Sequence, residues 1–91
     1  MQRLGPAIED LLGKLGISGK IREYDAVERW PEVVGQQVAK VTQAQAIKSG
    51  VLIVRVSNGP WRNELQLLKA EIIRKVNEDL GEELVKDIRF I

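Results

Sequence analysis

The chain has 91 residues, which is enough for one small domain and too few for a second hydrophobic core. Hydrophobic residues make up 44% of it and charged residues 30%, a balance typical of folded globular domains rather than disordered or membrane chains. The net charge is +1, so electrostatic attraction to a partner requires a local excess of charge. We predict a single domain over residues 1–91 that has no membrane segment.

Two residue types that often carry chemistry, cysteine and histidine, do not occur in the sequence. The absence of cysteine excludes disulfides and thiolate chemistry, and the absence of histidine removes the commonest general base and metal ligand. The acidic stretch NEDLGEE at residues 77–83 lacks the spacing of a calcium-binding loop, so it is interpreted as a solvated helix end. No apolar run near the start is long enough for a signal peptide. We predict a cytoplasmic, non-enzymatic protein without a metal or a cofactor.

Apolar residues at helical spacing predict two helices in the first part of the chain. The first covers roughly residues 4–15, and GISGK at residues 16–20 is predicted to be a loop. The second helix is marked by large residues three positions apart: Ile21, Tyr24, Val27 and Trp30. Because Pro31 disfavours a helical conformation at the residue before it, we expect a kink or break there, followed by further helical turns through Val38.

Residues 42–57, TQAQAIKSGVLIVRVS, predict a β-hairpin with its turn at Ser49 and Gly50. Side chains on a strand point alternately to its two faces. One face of the second strand is therefore expected to meet a helix, through Leu52, Val54 and Val56. The other face is expected to be half exposed, with Val51, Ile53 and Arg55.

A third helix and a third strand complete the predicted fold. Asn58 is a candidate helix cap, and the helix is expected to run for about five turns to Gly81, a favoured left-handed end residue. Trp61 at its start is predicted to anchor strand to helix, and its burial contributes on the order of 2 to 3 kcal/mol. The alternating pattern of ELVKDIRFI predicts a third strand. Because strand–helix–strand units usually form right-handed crossovers, this strand is expected to pair in parallel with a strand of the hairpin. The prediction is an α+β fold in the order α-α-β-β-α-β, with a small three-stranded sheet covered by a long helix.

Four segments resemble the bacterial DciA family in their order and spacing: WPEVVGQQVA, SGVLIVRV, GPWRNELQLLKAEIIRKVNEDLG and VKDIRF. In this pattern Trp30 and Trp61 stand on either side of the hairpin. The resemblance implies a KH-like core, contact with the replicative DnaB-type helicase, and binding to DNA. Longer members of that family carry a basic tail after the last strand, whereas this sequence ends at Ile91. We therefore expect DNA binding by this domain to be weak and not sequence-specific.

A local excess of positive charge gives a candidate nucleic-acid site. No acidic residue occurs between Glu32 and Glu64, where four basic residues lie: Lys40, Lys48, Arg55 and Arg62. These cations are expected to contact phosphates, and each neutralised phosphate makes affinity more sensitive to salt. The alternative is ordinary solvated charge on a strand. GISG also matches the GxxG loop of KH modules, although a simple turn between helices is the alternative there.

Three apolar residues fall outside the predicted buried faces: Val51, Ile53 and Leu67. They are either scattered exposed residues, which are normal, or one patch on which a protein partner docks. Glu64 and Glu71 flank Leu67 at helical spacing, so such a patch would have a negative rim. The leading hypothesis is a cytoplasmic replication factor that binds the helicase and weakly binds DNA. A stand-alone KH-like RNA-binding module is the alternative.

Overall fold

A computed structural model describes residues 18–91 of the chain. Its helices are α1 (Ser18–Val34), α2 (Gln36–Ala39), α3 (Gly59–Leu67) and α4 (Lys69–Leu80), and its strands are β1 (Thr42–Lys48), β2 (Val51–Val56) and β3 (Asp87–Phe90). The first predicted helix and residues 16 and 17 of the predicted loop lie outside the described residues. The loop prediction is wrong at residues 18–20, which belong to α1. Serine and glycine are well tolerated at helix starts, so their presence does not exclude a helix there.

The break after α1 lies at Gly35, five residues after Trp30, where the sequence pattern predicted a kink or break. Pro31 is inside α1, and the helix continues past it to Val34. Gly35 has a φ of 89°, a left-handed conformation that a residue without Cβ adopts at little cost. Its amide donates to the Pro31 carbonyl at 3.1 Å, which closes the last turn of the helix. The chain then continues into the short helix α2, as predicted for the region through Val38.

The sheet has the order β1-β2-β3, with β1 and β2 antiparallel and β2 and β3 parallel. The hairpin and the parallel third strand are therefore confirmed, together with the α+β class. Ser49 and Gly50 form the two-residue turn and have φ angles of 52° and 81°. Positive φ at both positions is what a type I′ hairpin turn requires. A register shift between Ala44 and Ala46 leaves an irregularity in β1.

The predicted third helix is divided into α3 and α4 by Leu68. Its start is confirmed, because Asn58 Oδ1 accepts a hydrogen bond from the Trp61 amide at 2.8 Å. The prediction of one uninterrupted helix is wrong, since Leu68 has φ −97° and ψ 6°, outside regular helical geometry. The end is confirmed at Gly81, whose φ is 77°.

The predicted third strand is shorter in the structure than its sequence pattern indicated. β3 begins only at Asp87. Before it, the Asn77 side chain holds Val85, with Nδ2 donating to the Val85 carbonyl and Oδ1 accepting from the Val85 amide, both at 2.9 Å. These two bonds satisfy backbone groups that have no strand partner and bury Val85 under α4.

The hydrophobic core lies between one face of the sheet and the helices. It is formed by Ala26, Trp30, Ile47, Leu52, Val54, Val56, Leu65, Ile72, Val76, Val85, Ile88 and Phe90. Alternate residues of β2 point into it, as the sequence predicted. Trp61 packs against this core but remains half-buried. The fully buried indole is Trp30, which is 1% exposed, so the main tryptophan anchor is in α1 rather than at the start of α3.

The indole of Trp30 is also the centre of a short hydrogen-bond chain. Its Nε1 donates to Thr42 Oγ1 at 2.9 Å, and the Thr42 hydroxyl donates to the Val38 carbonyl at 2.7 Å. A buried indole N–H without a partner is unfavourable, so this chain fixes the position of α1 relative to β1. It also ties α2 to the same point.

The first prediction concerns this hydrogen-bond chain. Trp30→Phe should lower the free energy of unfolding by about 2 kcal/mol, because it removes both volume and the hydrogen bond. Thr42→Val should cost about 1 to 3 kcal/mol, since it leaves the indole N–H unsatisfied. The double variant should cost less than the sum of the two, as measured by urea unfolding. Strictly additive costs would show that the bond does not contribute.

The second prediction concerns the ion pair that links α1 to α4. Arg29 Nε and Nη2 donate to Asp79 Oδ2 and Oδ1 at 3.0 and 2.9 Å, a bidentate arrangement. The hydrogen bond from Arg29 lowers the pKa of the Asp79 carboxyl. Because its folded pKa lies below the unfolded value of about 3.9, the pair stabilises the domain above that pH and is lost as pH falls through the folded pKa.

Asp79→Asn should therefore lose less stability than the wild type between about pH 5 and pH 2, as measured by urea unfolding at each pH. Asp25→Asn, an identical change at an exposed position of α1, is the matched control and should keep the wild-type profile. Identical slopes for the wild type and the Asp79 variant would contradict a role of this pair in acid stability.

Candidate nucleic-acid interface

The outer sheet face is the side of the sheet opposite the buried residues. Residues paired across neighbouring strands point to the same side of a sheet, so the register defines three rows on this face. Read from β1 through β2 to β3, the rows are Lys48, Val51 and Asp87; Ala46, Ile53 and Arg89; and Gln43, Arg55 and Ile91. Val51 and Ile53 are half-buried at the centre, while the charged residues around them are exposed. The result is a small aliphatic surface with a polar and mainly cationic border.

The charge of this face is set by three cations, Lys48, Arg55 and Arg89, and one carboxylate, Asp87. Asp87 Oδ1 accepts a hydrogen bond from the Ile88 amide at 2.8 Å and lies 3.3 Å from Lys69 Nζ. These contacts, the backbone bond first, lower the pKa of Asp87 and keep it ionised. The one carboxylate is thus partly compensated by Lys69, and the face as a whole is positive.

The structure brings two of the four predicted phosphate contacts onto this face. Lys48 lies beside the hairpin turn and Arg55 near the other end of β2, both exposed. Lys40 is exposed just after α2, at the end of the hairpin far from its turn. At about 3.3 Å per residue, a strand as long as β1 separates the two ends by roughly 20 Å.

Arg62, the fourth predicted phosphate contact, is in a different environment because it is half-buried beside the end of β2. Its Nη2 donates to the Val56 carbonyl at 3.2 Å. Its Nε is buried and has no hydrogen-bond partner among the described residues. Arg62 therefore stabilises the connection between β2 and α3. These contacts restrain its guanidinium, whereas the charged groups of the exposed cations are less restrained.

Arg89 is the cation of the outer sheet face that sequence reasoning left out of the site. It lies opposite Ile53, between Ile88 and Phe90, which are both buried. Arg89 falls outside the segment without acidic residues, and that segment was the signal used to select the site. The alternation of β3 contains the missing signal, since a strand that buries Ile88 and Phe90 must expose Arg89 on the opposite face.

The three predicted partner-binding residues do not share one surface. Val51 and Ile53 lie at the centre of the outer sheet face. Leu67 is 81% exposed on α3 and follows the buried Leu65 by two positions. Two helical positions correspond to about 200° of rotation, so Leu67 points away from the core and the sheet. Leu67 is therefore an exposed apolar residue of the helical layer, separate from the outer sheet face.

Two other kinds of feature, a membrane-spanning helix and a metal-binding cluster, do not occur within the described residues. None of the helices within residues 18–91 combines the length and apolar character needed to cross a bilayer. In the same part of the chain, no group of three or more acidic side chains is arranged to hold a metal ion. The outer sheet face, with three exposed cations, is the described surface that best complements an anionic ligand.

A small α+β domain with a mixed sheet and a positively charged outer face is the class of protein that these observations define. The sequence matches the family described as "Dna[CI] antecedent, DciA" over residues 3–90. The chain therefore belongs to the DciA family, which confirms the resemblance seen in its sequence. Membership supports a role related to bacterial DNA replication.

Curated relatives are similar along almost the whole chain. A UPF0232 protein of Streptomyces coelicolor is 34% identical over 90 residues, which are 97% of this chain and 47% of that protein. A UPF0232 protein of Mycobacterium tuberculosis is 30% identical over 89 residues, 98% of this chain and 48% of that protein. The chain thus spans about half the length of the curated relatives it matches.

The third prediction tests the cation added by the structure. Arg89→Gln should weaken binding to a labelled single-stranded oligonucleotide several-fold and reduce the salt slope by about 0.7, the value for one phosphate contact. Fluorescence anisotropy at several salt concentrations measures both quantities. Arg74→Gln, on α4, makes the same charge change away from the sheet and should leave binding unchanged. Equal losses in the two variants would contradict a site on the outer sheet face.

Proposed function

We propose that this domain is a non-enzymatic DNA replication initiation factor that binds the replicative DnaB-type helicase and weakly contacts DNA. Membership of the DciA family supports the replication role and the helicase as partner. The observation that carries the DNA-binding part is the outer sheet face, where Lys48, Arg55 and Arg89 are exposed together. Because these three side chains are spread along and across the strands, they are suited to contact several phosphates rather than one.

Weak binding without sequence preference follows from the composition of this face. Its nine positions contain no aromatic ring on which a base can stack, and their only side-chain amide is that of Gln43 on β1. Phosphate contacts give affinity but carry little sequence information. The aliphatic centre at Val51 and Ile53 is compatible with bases lying flat against it, which favours single strands over a duplex.

Two of the described carboxylates, those of Asp79 and Asp87, have properties that suit a structural role better than proton transfer. A carboxylic acid that acts as a general acid at neutral pH has a raised pKa. The two carboxyls of Asp79 and Asp87 have lowered pKa values, because each is held by a hydrogen bond and a cation. Such groups are suited to holding the fold together and poorly suited to transferring protons near neutral pH.

The fourth prediction tests DNA binding with a double charge reversal. Lys48→Glu combined with Arg55→Glu should weaken binding to single-stranded DNA at low salt by at least about tenfold, because two phosphate contacts become repulsive. The matched control is Arg74→Glu with Lys75→Glu on α4, which changes the net charge equally. Both residues take part in exposed ion pairs that contribute little to stability, so the control should fold.

Gel shifts with single-stranded DNA, duplex DNA and RNA at several salt concentrations separate the candidate functions. The proposed function predicts weak, steeply salt-dependent DNA binding and co-purification of the helicase from the native host. A marked preference for RNA, without helicase contact, would instead favour the KH-like RNA-binding alternative. Equal weakening by the control reversal would mean that net charge, not the outer sheet face, governs binding.

A further inference from the structure

A cavity of about 240 Å³ opens between β1 and the first half of α1; we call it the edge cavity. Its lining includes Lys20, Glu23 and Tyr24 from α1 and Gln45 and Ala46 from β1. Since β1 is the first strand in the order β1-β2-β3, the cavity lies at a free edge of the described sheet. An engineered cavity of about 150 Å³ holds benzene, so the edge cavity has room for a planar heteroaromatic ring.

Tyr24 is the most exposed aromatic residue of the domain. The sequence has two tryptophans, one tyrosine and one phenylalanine. Trp30 and Phe90 are buried in the core and Trp61 is half-buried, whereas Tyr24 is 64% exposed. A ring that the core does not bury and that lines an open cavity offers a surface on which another planar ring can stack.

The irregularity in β1 brings a polar side chain to the same cavity. The register shift lies between Ala44 and Ala46, so Gln45 has no paired residue on β2. Bulges of this kind are common beside binding sites, where they redirect a side chain. Gln45 is exposed and lines the edge cavity, and its amide can both donate and accept hydrogen bonds. The bulge thus places an amide in the cavity that Tyr24 lines.

The edge cavity is continuous with the outer sheet face through Ala46. This residue belongs to the central row of that face, with Ile53 and Arg89, and it also lines the cavity. An extended strand that follows this row across the sheet therefore reaches the cavity as it passes the edge of β1. Lys48 on the sheet side and Lys20 on the helix side supply positive charge near this point.

The carboxylate of Glu23 determines which part of a nucleic acid suits the edge cavity. Glu23 lines the cavity beside Tyr24 and is half-buried. An anionic phosphate is repelled by a neighbouring carboxylate, whereas a base is neutral and its amino group can donate a hydrogen bond to one. The cavity is therefore better suited to a base than to the sugar-phosphate backbone.

We propose that the edge cavity holds one unstacked base of a single DNA strand that crosses the outer sheet face, with the base stacked on Tyr24 and hydrogen-bonded to Gln45. This inference deepens the proposed function and rests on it, since the strand reaches the cavity from the outer sheet face. The bases of a duplex do not enter, because both of their faces are covered by neighbouring bases. Stacking on a ring is tolerant of sequence, so the subsite adds affinity for single strands with little preference among bases.

The fifth prediction tests stacking by changing one exposed ring. Tyr24→Ala should weaken binding of the 91-residue chain to a single-stranded oligonucleotide by about fivefold or more, as expected for the loss of one base–aromatic stack. Tyr24→Phe keeps the ring and should bind like the wild type. Because stacking releases no counterions, Tyr24→Ala should leave the salt slope unchanged, in contrast to Arg89→Gln. Fluorescence anisotropy at several salt concentrations measures both quantities, and thermal unfolding checks that the variants fold.

A second measurement separates stacking from any indirect effect of the substitution. A strand of abasic nucleotides of the same length keeps every phosphate but offers no base. Removing the bases should weaken binding by the wild type more than binding by Tyr24→Ala, so the two losses should not be additive. A Tyr24→Ala loss of equal size on the normal and the abasic strand would overturn the stacking role.

The outcomes distinguish a failure of the subsite from a failure of the proposed function. Wild-type affinity in Tyr24→Ala would overturn the edge cavity as a base subsite and leave the proposed function standing, since the cations of the outer sheet face would still contact phosphates. Absence of DNA binding by the folded wild-type chain would overturn the DNA-binding part of the proposed function, and the subsite with it. Equal weakening of single-stranded and duplex binding by Tyr24→Ala would also overturn the inference, because a duplex offers no unstacked base.

Discussion

The burial of Trp30, with its N–H bonded to Thr42, is the interaction on which the rest of the architecture depends. The indole belongs to α1, its acceptor begins β1, and the same hydroxyl reaches back to α2 at Val38. Three consecutive elements are therefore positioned by one side chain and one hydroxyl group. With no disulfide or described metal cluster to restrain it, a domain of this size depends strongly on such a well-satisfied centre.

The strand pattern was the part of the fold most readable from sequence. Alternation in VLIVRV and the turn residues at Ser49 and Gly50 identified the hairpin and its buried face, because a period of two has few competing explanations. The helix boundaries were less readable. Pro31 predicts a kink or break at Trp30, whereas the structure breaks at Gly35, where a residue without a side chain adopts a positive φ at little cost.

Two further differences arose from tertiary context that a single sequence does not contain. The stripe from Trp61 to Leu80 has ideal helical spacing, yet the chain departs from helical geometry at Leu68. Which indole is the main anchor is likewise set across the fold: Trp30 is buried and donates to Thr42, whereas Trp61 is half-buried. For the candidate site, Lys48 and Arg55 could be selected from the charge pattern, whereas Arg89 required knowledge of which strand is the neighbour of β2.

The placement of β2 at the centre of a mixed sheet has a consequence for how the positive face is assembled as the chain folds. The β1 and β2 strands are joined by two residues, so they can pair on a timescale of about 1 to 10 μs. Pairing of β3 with β2 is non-local, because α3 and α4 lie between the two strands in the chain, and non-local pairing is slower. The hairpin can therefore bring Lys48 and Arg55 to one face before Arg89 joins them. Until β3 has paired, the three cations do not lie on one surface, so the positive outer sheet face is complete only in the native topology.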